Sequence, residues 1–541
     1  MKKISALLLG VSVCLAACGG ETEDVQSLDE GAASIDEENK TLTIALGTDV
    51  VSFDIHDHNN TSTEAVHDNM FNYLFKRDSQ NEIQPELVDT YEHIDDVTVE
   101  MTLKEGVTFH NGDPLTSEDV KFTLERVAND DTLQEYPNYR QIKEVDIVDD
   151  LTFRVITHEE EPSLFHRLSR LGSSILPKTY IEEEGWDHFL ANPIGTGPYQ
   201  FEEWVRDSQV VMTPYTEYFE GEVDEWDEVI FRVIPENSTR VSELLTGGVD
   251  IAVNVPPADW DRVNGNAGTS MASETSNRTM MLILRATEGF PTADVRVRQA
   301  LNLAINNEAI TENALRGGGV PTRTRVAPGN FGAEESLYDS YDYDVEQAQA
   351  LMDEAGYPDG FEMTLHSPRG RYLQDAEIAE LVGGMLKAIN VEVTVEFMEW
   401  SNFVEMRQAG TNKDAYLIGL GNSMFDGAYA VDWYRGDRFV GETDYQNEEI
   451  DALLDASAIN MDDAERAEQI QEIQRIANEE QPHIMLHQET VNYGVNDRVN
   501  FSPAMDEMIY VPSISKKLIV TAREILAFPK KKEATIWVYF Y

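Results

Sequence analysis

Apolar residues recur at helical spacing in several separate stretches of the chain. Ile378, Leu381, Val382, Met385, Leu386 and Ile389 share one face of an amphipathic helix over Ala376–Ile389. The alternating run Val391-Glu392-Val393-Thr394-Val395 follows directly and reads as a strand. Val297, Ala300, Leu301, Ala304 and Ile305 predict a helix over Val295–Ile305. Ala348, Leu351, Met352 and Ala355 predict another over Val345–Ala355, which stops at Gly356 with Pro358 beyond. Thr116 can cap a helix with Asp119 at its third position and Val120, Leu124 and Val127 facing inward. Thr41–Ala45 alternates and marks the first strand; Val145–Val148 and Thr152–Ile156 form a hairpin around Asp149-Asp150. Helix and strand alternate, so the class is α/β. A chain of 541 residues needs two or three domains to bury its apolar surface.

Composition and charge narrow the picture. The chain is 41% hydrophobic and 9% aromatic, enough for packed cores. Against 41 basic residues stand 100 acidic ones, a formal net charge of −59. That surface repels phosphate backbones and removes nucleic acid from the partners. Its plain use is solubility.

The N-terminus carries an address. Lys2 and Lys3 precede an apolar run, Ile4–Leu15, too short to span a bilayer comfortably and suited to a secretory signal. Leu15-Ala16-Ala17-Cys18, followed by Gly19-Gly20, resembles a bacterial lipobox, which implies lipidation at Cys18 after cleavage. Cys14 lies in the removed part, so the mature chain has no second cysteine for a disulfide. Glu21–Asn39 is acidic, lacks aromatics and reads as a solvated tether. After Ser515 the composition turns basic and ends in Trp537-Val538-Tyr539-Phe540-Tyr541, which reads as an appended segment.

Catalytic signatures are missing. The chain has no G-x-S-x-G, no H-E-x-x-H and no phosphate-binding G-x-x-x-x-G-K. His158-Glu159-Glu160-Glu161 lacks a second histidine, and Gly317-Gly318-Gly319 lacks the lysine. His56-x-His58 has no further ligands to complete a metal site and is expected to be an ordinary surface or cleft pair. No enzyme, cofactor or metal is expected.

Four phrases then point to a family. They are Gly106-Val107-Thr108-Phe109-His110-Asn111-Gly112-Asp113-Pro114-Leu115-Thr116-Ser117-Glu118-Asp119-Val120, Asn192-Pro193-Ile194-Gly195-Thr196-Gly197-Pro198-Tyr199, Val295-Arg296-Val297-Arg298-Gln299-Ala300-Leu301 and Ala355-Gly356-Tyr357-Pro358-Asp359-Gly360-Phe361. In this order they resemble the bacterial family 5 extracellular solute-binding proteins, the peptide- and nickel-type receptors of ABC importers. The resemblance implies a two-lobed, periplasmic-binding-protein-like α/β fold (type II, cluster C) with an extra subdomain in the larger lobe. It implies a ligand enclosed between the lobes by hinge closure. The expected parts are a signal over 1–18, a tether over 19–40, a first lobe from 41–74, 200–290 and 488–515, the subdomain over 75–199, a second lobe over 291–487 and a basic tail over 516–541. The glycines of Gly195-Thr196-Gly197 are read as a turn that uses positive φ.

The same resemblance suggests the ligand clamps. A zwitterionic ligand needs a guanidinium for its carboxylate and a carboxylate for its ammonium. Arg371, with Arg369 second, fits the carboxylate clamp. In relatives the region matching Ile418–Gly427 carries an aspartate for the α-ammonium; the usual Trp-x-x-Asp-Tyr-x-x-Pro form is absent here, and Asp426 is the substitute, with Asn422 beside it. Arg278 before the strand Met280–Leu284 could face an anion, and Trp400 could stack on a ligand. The expected ligand is a short peptide or peptide-like molecule, with glutathione or a nickel chelate as runner-up. The expected partners are ABC permease subunits, with the chain a lipid-anchored monomer; a sensor or chaperone of the same fold is the other class.

The lipobox makes a direct prediction. Cys18→Ser should release the protein from membranes or leave an unprocessed precursor. Membrane fractionation and the mass of the mature N-terminus check it; no change in either removes the anchor.

Overall fold

The computed structural model of the chain describes residues 40–517, apart from 59, 79, 80 and 340. The secretory segment, Cys18, the acidic tether and almost all of the basic tail lie outside the described residues.

Among the described residues one eleven-stranded sheet runs through the body. Two long antiparallel strands, Thr269–Leu284 and His483–Asn496, form its middle. Beside the first stand Ala415–Gly421, Phe361–Pro368 and Val391–Met398. Beside the second stand Ile251–Ala252, Thr41–Leu46, Glu228–Val233, Gln209–Pro214 and Tyr199–Val205, and the short strand Gly319–Pro321 also pairs with it. The long strands therefore belong to both halves, and each half builds its own lobe around its share of the sheet.

The second lobe shows why its sequence folds this way. Phe361–Pro368 and Val391–Met398 are parallel neighbours, so the chain must cross over between them. The amphipathic helix Asp375–Leu386 makes that crossing and buries Ile378, Val382 and Leu386. The helices Val295–Leu303 and Val345–Glu354 close the same core through Val297, Leu301, Ala348 and Met352. Gly356, at φ +91°, ends the latter as expected.

A separate antiparallel sheet of four strands, in the order Val88–Asp95, Thr98–Leu103, Thr152–Thr157, Ile142–Ile147, carries the extra subdomain. The helix Ser117–Asn129 packs Val120, Leu124 and Val127 against it. Its start is held by Asp119, whose Oδ2 accepts from Thr116 N and from Thr116 Oγ1, each at 2.9 Å.

The structure redraws four expectations. Leu176, Ile181, Phe189 and Tyr199 belong to the first-lobe core and not to the subdomain core. The short helices Lys178–Glu184 and Trp186–Ala191 bury too little on their own and take their apolar faces to that neighbour. Met280–Leu284 likewise packs in the second-lobe core. Gly195 and Gly197 do not use positive φ. They allow the backbone to lie against Met70: Gly197 N donates to Met70 O at 2.9 Å, and a Cβ on Gly197 would sit 2.5 Å from the Met70 carbonyl carbon. His56 and His58 are buried, not at a surface. His56 Nε2 donates to Gly172 O at 2.9 Å, and burial, with Arg126 second, holds its pKa down to about 3.

Two glycines test this reading in opposite directions. Gly197→Ala should lower stability by about 1–3 kcal/mol or more, because Met70 backbone cannot yield. Gly384→Ala, in the helix Asp375–Leu386 with nothing near its would-be Cβ, should raise it by about 0.4–1 kcal/mol. Thermal unfolding of both variants decides; equal effects would remove the close-approach argument.

Candidate functional site

The ladder between the long strands breaks between Thr275/Thr490 and Thr279/Gln488. Ser276, Asn277 and Arg278 there oppose the single residue Glu489. At this break a cleft of about 1000 Å³ opens between the lobes. Gly47, Thr48, Asn60–Ser62, Asn237, Arg240 and Asn254 wall it from the first lobe, and Arg369–Glu377, Glu380 and Trp400 from the second. Arg278, Glu489–Asn492 and Glu507 line it at the junction.

The loop Arg369–Gln374 leaves the strand Phe361–Pro368 and enters the helix Asp375–Leu386. Asp375 pins it: its carboxylate accepts from the backbone N–H of Gly370, Arg371 and Tyr372 at 2.9, 2.8 and 3.1 Å. Tyr372 Oη donates to Gly419 O at 3.0 Å. On this fixed base Arg371 lies 5.1 Å from the ring centroids of both Tyr372 and Trp400. Arg369 lies 4.2 Å from that of Phe397. Among the described residues neither arginine has a carboxylate at ion-pair distance. Both guanidiniums are exposed to the cleft with their N–H donors available.

Arg278 differs. Its Nε is 3.5 Å from Glu489 and its Nη2 is 3.3 Å from Glu507. Burial pushes the Glu489 carboxyl above its ordinary range, with Arg278 opposing that shift. Glu489 also accepts from Leu373 N at 3.2 Å, which ties the arginine loop to the long strand. Among the described residues four arginines thus line the cleft: Arg278 is paired with two glutamates, Arg240 donates to the carbonyls of Ile234 and Val253 and to Asn237 Oδ1, and Arg369 and Arg371 have no carboxylate at ion-pair distance.

The other two expected residues do not line the cleft. Asp426 is fully buried and already has a cation. Its Oδ2 accepts from Arg466 Nη2 at 2.7 Å and from Ser163 Oγ at 2.7 Å, and its Oδ1 caps the next helix through Ala428 N at 2.9 Å. Burial pushes this carboxyl up, but Arg466, then His166 and Ser163, bring it below the usual range. Ser163 belongs to the subdomain stretch, so the triad joins that subdomain to the second lobe. Beside it Arg77 Nη2 donates to Met424 O at 2.6 Å and lies 4.6 Å from the Phe425 ring centroid. Asn422 is buried against Asn277 and Asn330: its N donates to Asn277 O at 3.1 Å and its Nδ2 to Asn330 Oδ1 at 2.7 Å. The expected ammonium clamp is therefore a seam between parts of the fold, because Arg466 fills the position a ligand cation would need.

The first-lobe wall and the pair Glu489 and Glu507 had no sequence signal; one more carboxylate says nothing in so acidic a chain.

Two lobes that share a pair of long strands, with a polar cleft opening where those strands break, define a hinge-type ligand-binding protein. Known proteins agree. The family model of the bacterial extracellular solute-binding proteins, family 5 middle part, matches residues 82–441, and the chain belongs to that family. It is 26% identical over 458 residues to the glutathione-binding protein GsiB of Salmonella paratyphi A, covering 83% of this chain and 88% of the relative. The ABC transporter substrate-binding protein CtaP of Listeria monocytogenes superposes with a TM-score of 0.79 at 21% identity, covering 88% of this chain and 99% of the other. The periplasmic binding protein DppA of Helicobacter pylori, in complex with the peptide STSA, superposes with a TM-score of 0.74 at 20% identity, covering 88% of this chain and 98% of the other. These likenesses show the two-lobed fold. No helix among the described residues is long and apolar enough to cross a membrane.

The seam is testable apart from any ligand. Arg466→Met strands a buried carboxylate and should cost about 3–5 kcal/mol. Adding Asp426→Asn removes the stranded charge and should recover much of that loss. Chemical unfolding of the two variants checks this; a double variant as unstable as the single one would mean that Arg466 acts by packing alone.

Proposed function

We propose that the cleft captures a small peptide-like ligand with at least one carboxylate, and that the closed receptor hands it to the permease of an ABC importer. The observation that carries this reading is Arg371: a cleft-facing guanidinium 5.1 Å from the ring centroids of Tyr372 and Trp400, with no carboxylate at ion-pair distance among the described residues. Arg369 offers a second cation one residue away on the same loop, and Arg278, with its two glutamates, supplies a balanced polar floor. Trp400 and Tyr372 also give apolar surface for a ligand side chain or backbone. Such a receptor works by population shift: contacts from both lobes exist only when they close, so ligand favours the closed form. It works outside the cytoplasm as a monomer tethered through lipid on Cys18. Asp426 has no part in ligand capture in this reading.

Glutathione is the second reading. It is itself a peptide with two carboxylates, which matches two unneutralised arginines, and the relative named for it aligns over most of both chains.

Calorimetry against di- to pentapeptides, glutathione and chelated nickel finds the ligand. Arg371→Ala should then weaken binding by roughly 2–5 kcal/mol, about 30-fold to several thousand-fold. The same substitution should lose its effect against a C-terminally amidated peptide, which has no carboxylate to hold. If Arg371→Ala binds the unmodified ligand like the parent, the clamp is elsewhere. If neither peptide nor glutathione binds the parent, the peptide-like reading fails.

A further inference from the structure

Three arginines of the second lobe crowd one indole. The guanidinium carbons of Arg325, Arg407 and Arg438 lie 5.0, 5.3 and 5.3 Å from the ring centroid of Trp433. Two of them have counter-ions: Arg407 Nε is 2.9 Å from Glu442 Oε1, and Arg438 pairs with Asp432. Arg325 has none among the described residues. It is 4% exposed, and its Nε and Nη1 are covered without any hydrogen-bond acceptor. The groups that act most strongly on it are the phenols of Tyr434, Tyr429 and Tyr416 and a further arginine, Arg438, while the nearby carboxylates Glu442 and Asp432 are paired with Arg407 and Arg438. His483, whose ring packs on Tyr434 at 4.8 Å, adds a second buried orphan, Nδ1. Burial, then Arg325 and Arg407, keeps that imidazole neutral.

A guanidinium carries five N–H donors, and burying one without acceptors is costly. An indole face offsets part of the charge but accepts no in-plane N–H bond. A buried polar group left this way calls for an ion or water that completes it. Arg325, Trp433, Tyr434 and His483 are all absent from the cleft lining, so the ligand is not that missing partner.

We infer that Arg325, lying against Trp433 with the Tyr434 and His483 pair nearby, forms a site for a small compact anion of the halide class inside the second lobe. The covered Nε and Nη1 leave no approach for a carboxylate carried on a peptide. The anion sits where separate chain segments meet: the loop before Val326, the turn Asp432–Tyr434 and the first residue of the strand His483–Asn496. Binding there ties these segments together and stabilises the lobe that carries Arg371.

The test uses the full chain and two sodium salts. At matched pH and ionic strength, chloride should raise the melting temperature above that in gluconate, saturably, by about 2–3 °C. Arg325→Met should abolish the difference between salts, while Arg296→Gln, at a surface ion pair, should keep it. Crystals soaked in bromide should show an anomalous peak within hydrogen-bonding reach of the Arg325 guanidinium, which keeps the idea testable if Arg325→Met folds poorly. Equal melting in the two salts overturns the proposal, as does an Arg325→Met variant that keeps the chloride effect. Bromide at Arg325 without chloride-dependent melting would be an adventitious ion only, and would overturn it too.

Discussion

The rest of the structure depends on one ladder, the antiparallel pairing of Thr269–Leu284 with His483–Asn496. Each strand is long enough to be an edge of one lobe and the middle of the whole sheet. A continuous ladder is stiff along its length and yields where its pairing fails. Here it fails at Ser276, Asn277 and Arg278, and the irregular backbone is satisfied from outside the ladder. Asn277 N donates to Met505 O at 3.0 Å, Asn277 Nδ2 to Asn422 O at 2.5 Å and Gln488 Nε2 to Ser276 O at 2.8 Å. A bulge so supported is a built feature of the fold. It also aims Arg278 into the cleft, so the point of flexure and the floor of the ligand space are the same few residues.

Charge is divided between the two ends of the inter-lobe contact. At the seam Asp426 and Arg466 neutralise each other in full burial, where either alone would be expensive. In the cleft Arg371 and Arg369 are left to whatever enters. The difference lies in what surrounds them. Asp426 is packed between Ser163 and Arg466, with the Arg466 guanidinium 4.8 Å from the Phe331 ring centroid. Arg371 faces a volume large enough for a small peptide. A residue type alone does not tell these situations apart.

That contrast explains what the sequence could convey. Helices such as Asp375–Leu386 were legible because their apolar period is local and strong, and the α/β class followed from them. Arg371 was singled out through the family resemblance, and the structure places it in the cleft. The partner of Asp426 was not: Arg466 is 40 residues away and Ser163 is 263 away, and no local pattern links them. Gly195 and Gly197 were recognised as necessary but for the wrong reason, since close approach to Met70 is a tertiary fact. The division of Leu176–Tyr199 between cores was hidden in the same way. Its apolar residues were visible, and the surface they would choose was not.

The net charge of −59 and an anionic ligand look incompatible, and distance reconciles them. At physiological ionic strength a charge is screened within about 8 Å, so most of the acidic surface is silent at the cleft. At short range a carboxylate would meet Arg371 and Arg369, while Glu489 and Glu507 are occupied by Arg278 and Glu377 and Glu380 stand on the helix that follows the arginine loop. The two aromatic rings next to Arg371 and the three backbone N–H bonds to Asp375 have already removed freedom from the loop and the guanidinium. Less entropy is then lost when the ligand bonds, which is the advantage of a prearranged donor. Prearrangement of this kind resides in the second lobe. The first lobe offers amides and hydroxyls such as Asn60, Thr61 and Asn237, and one arginine, Arg240, whose donors are already bonded to the carbonyls of Ile234 and Val253 and to Asn237 Oδ1. In the proposed reading, charge is then recognised before closure and shape during it.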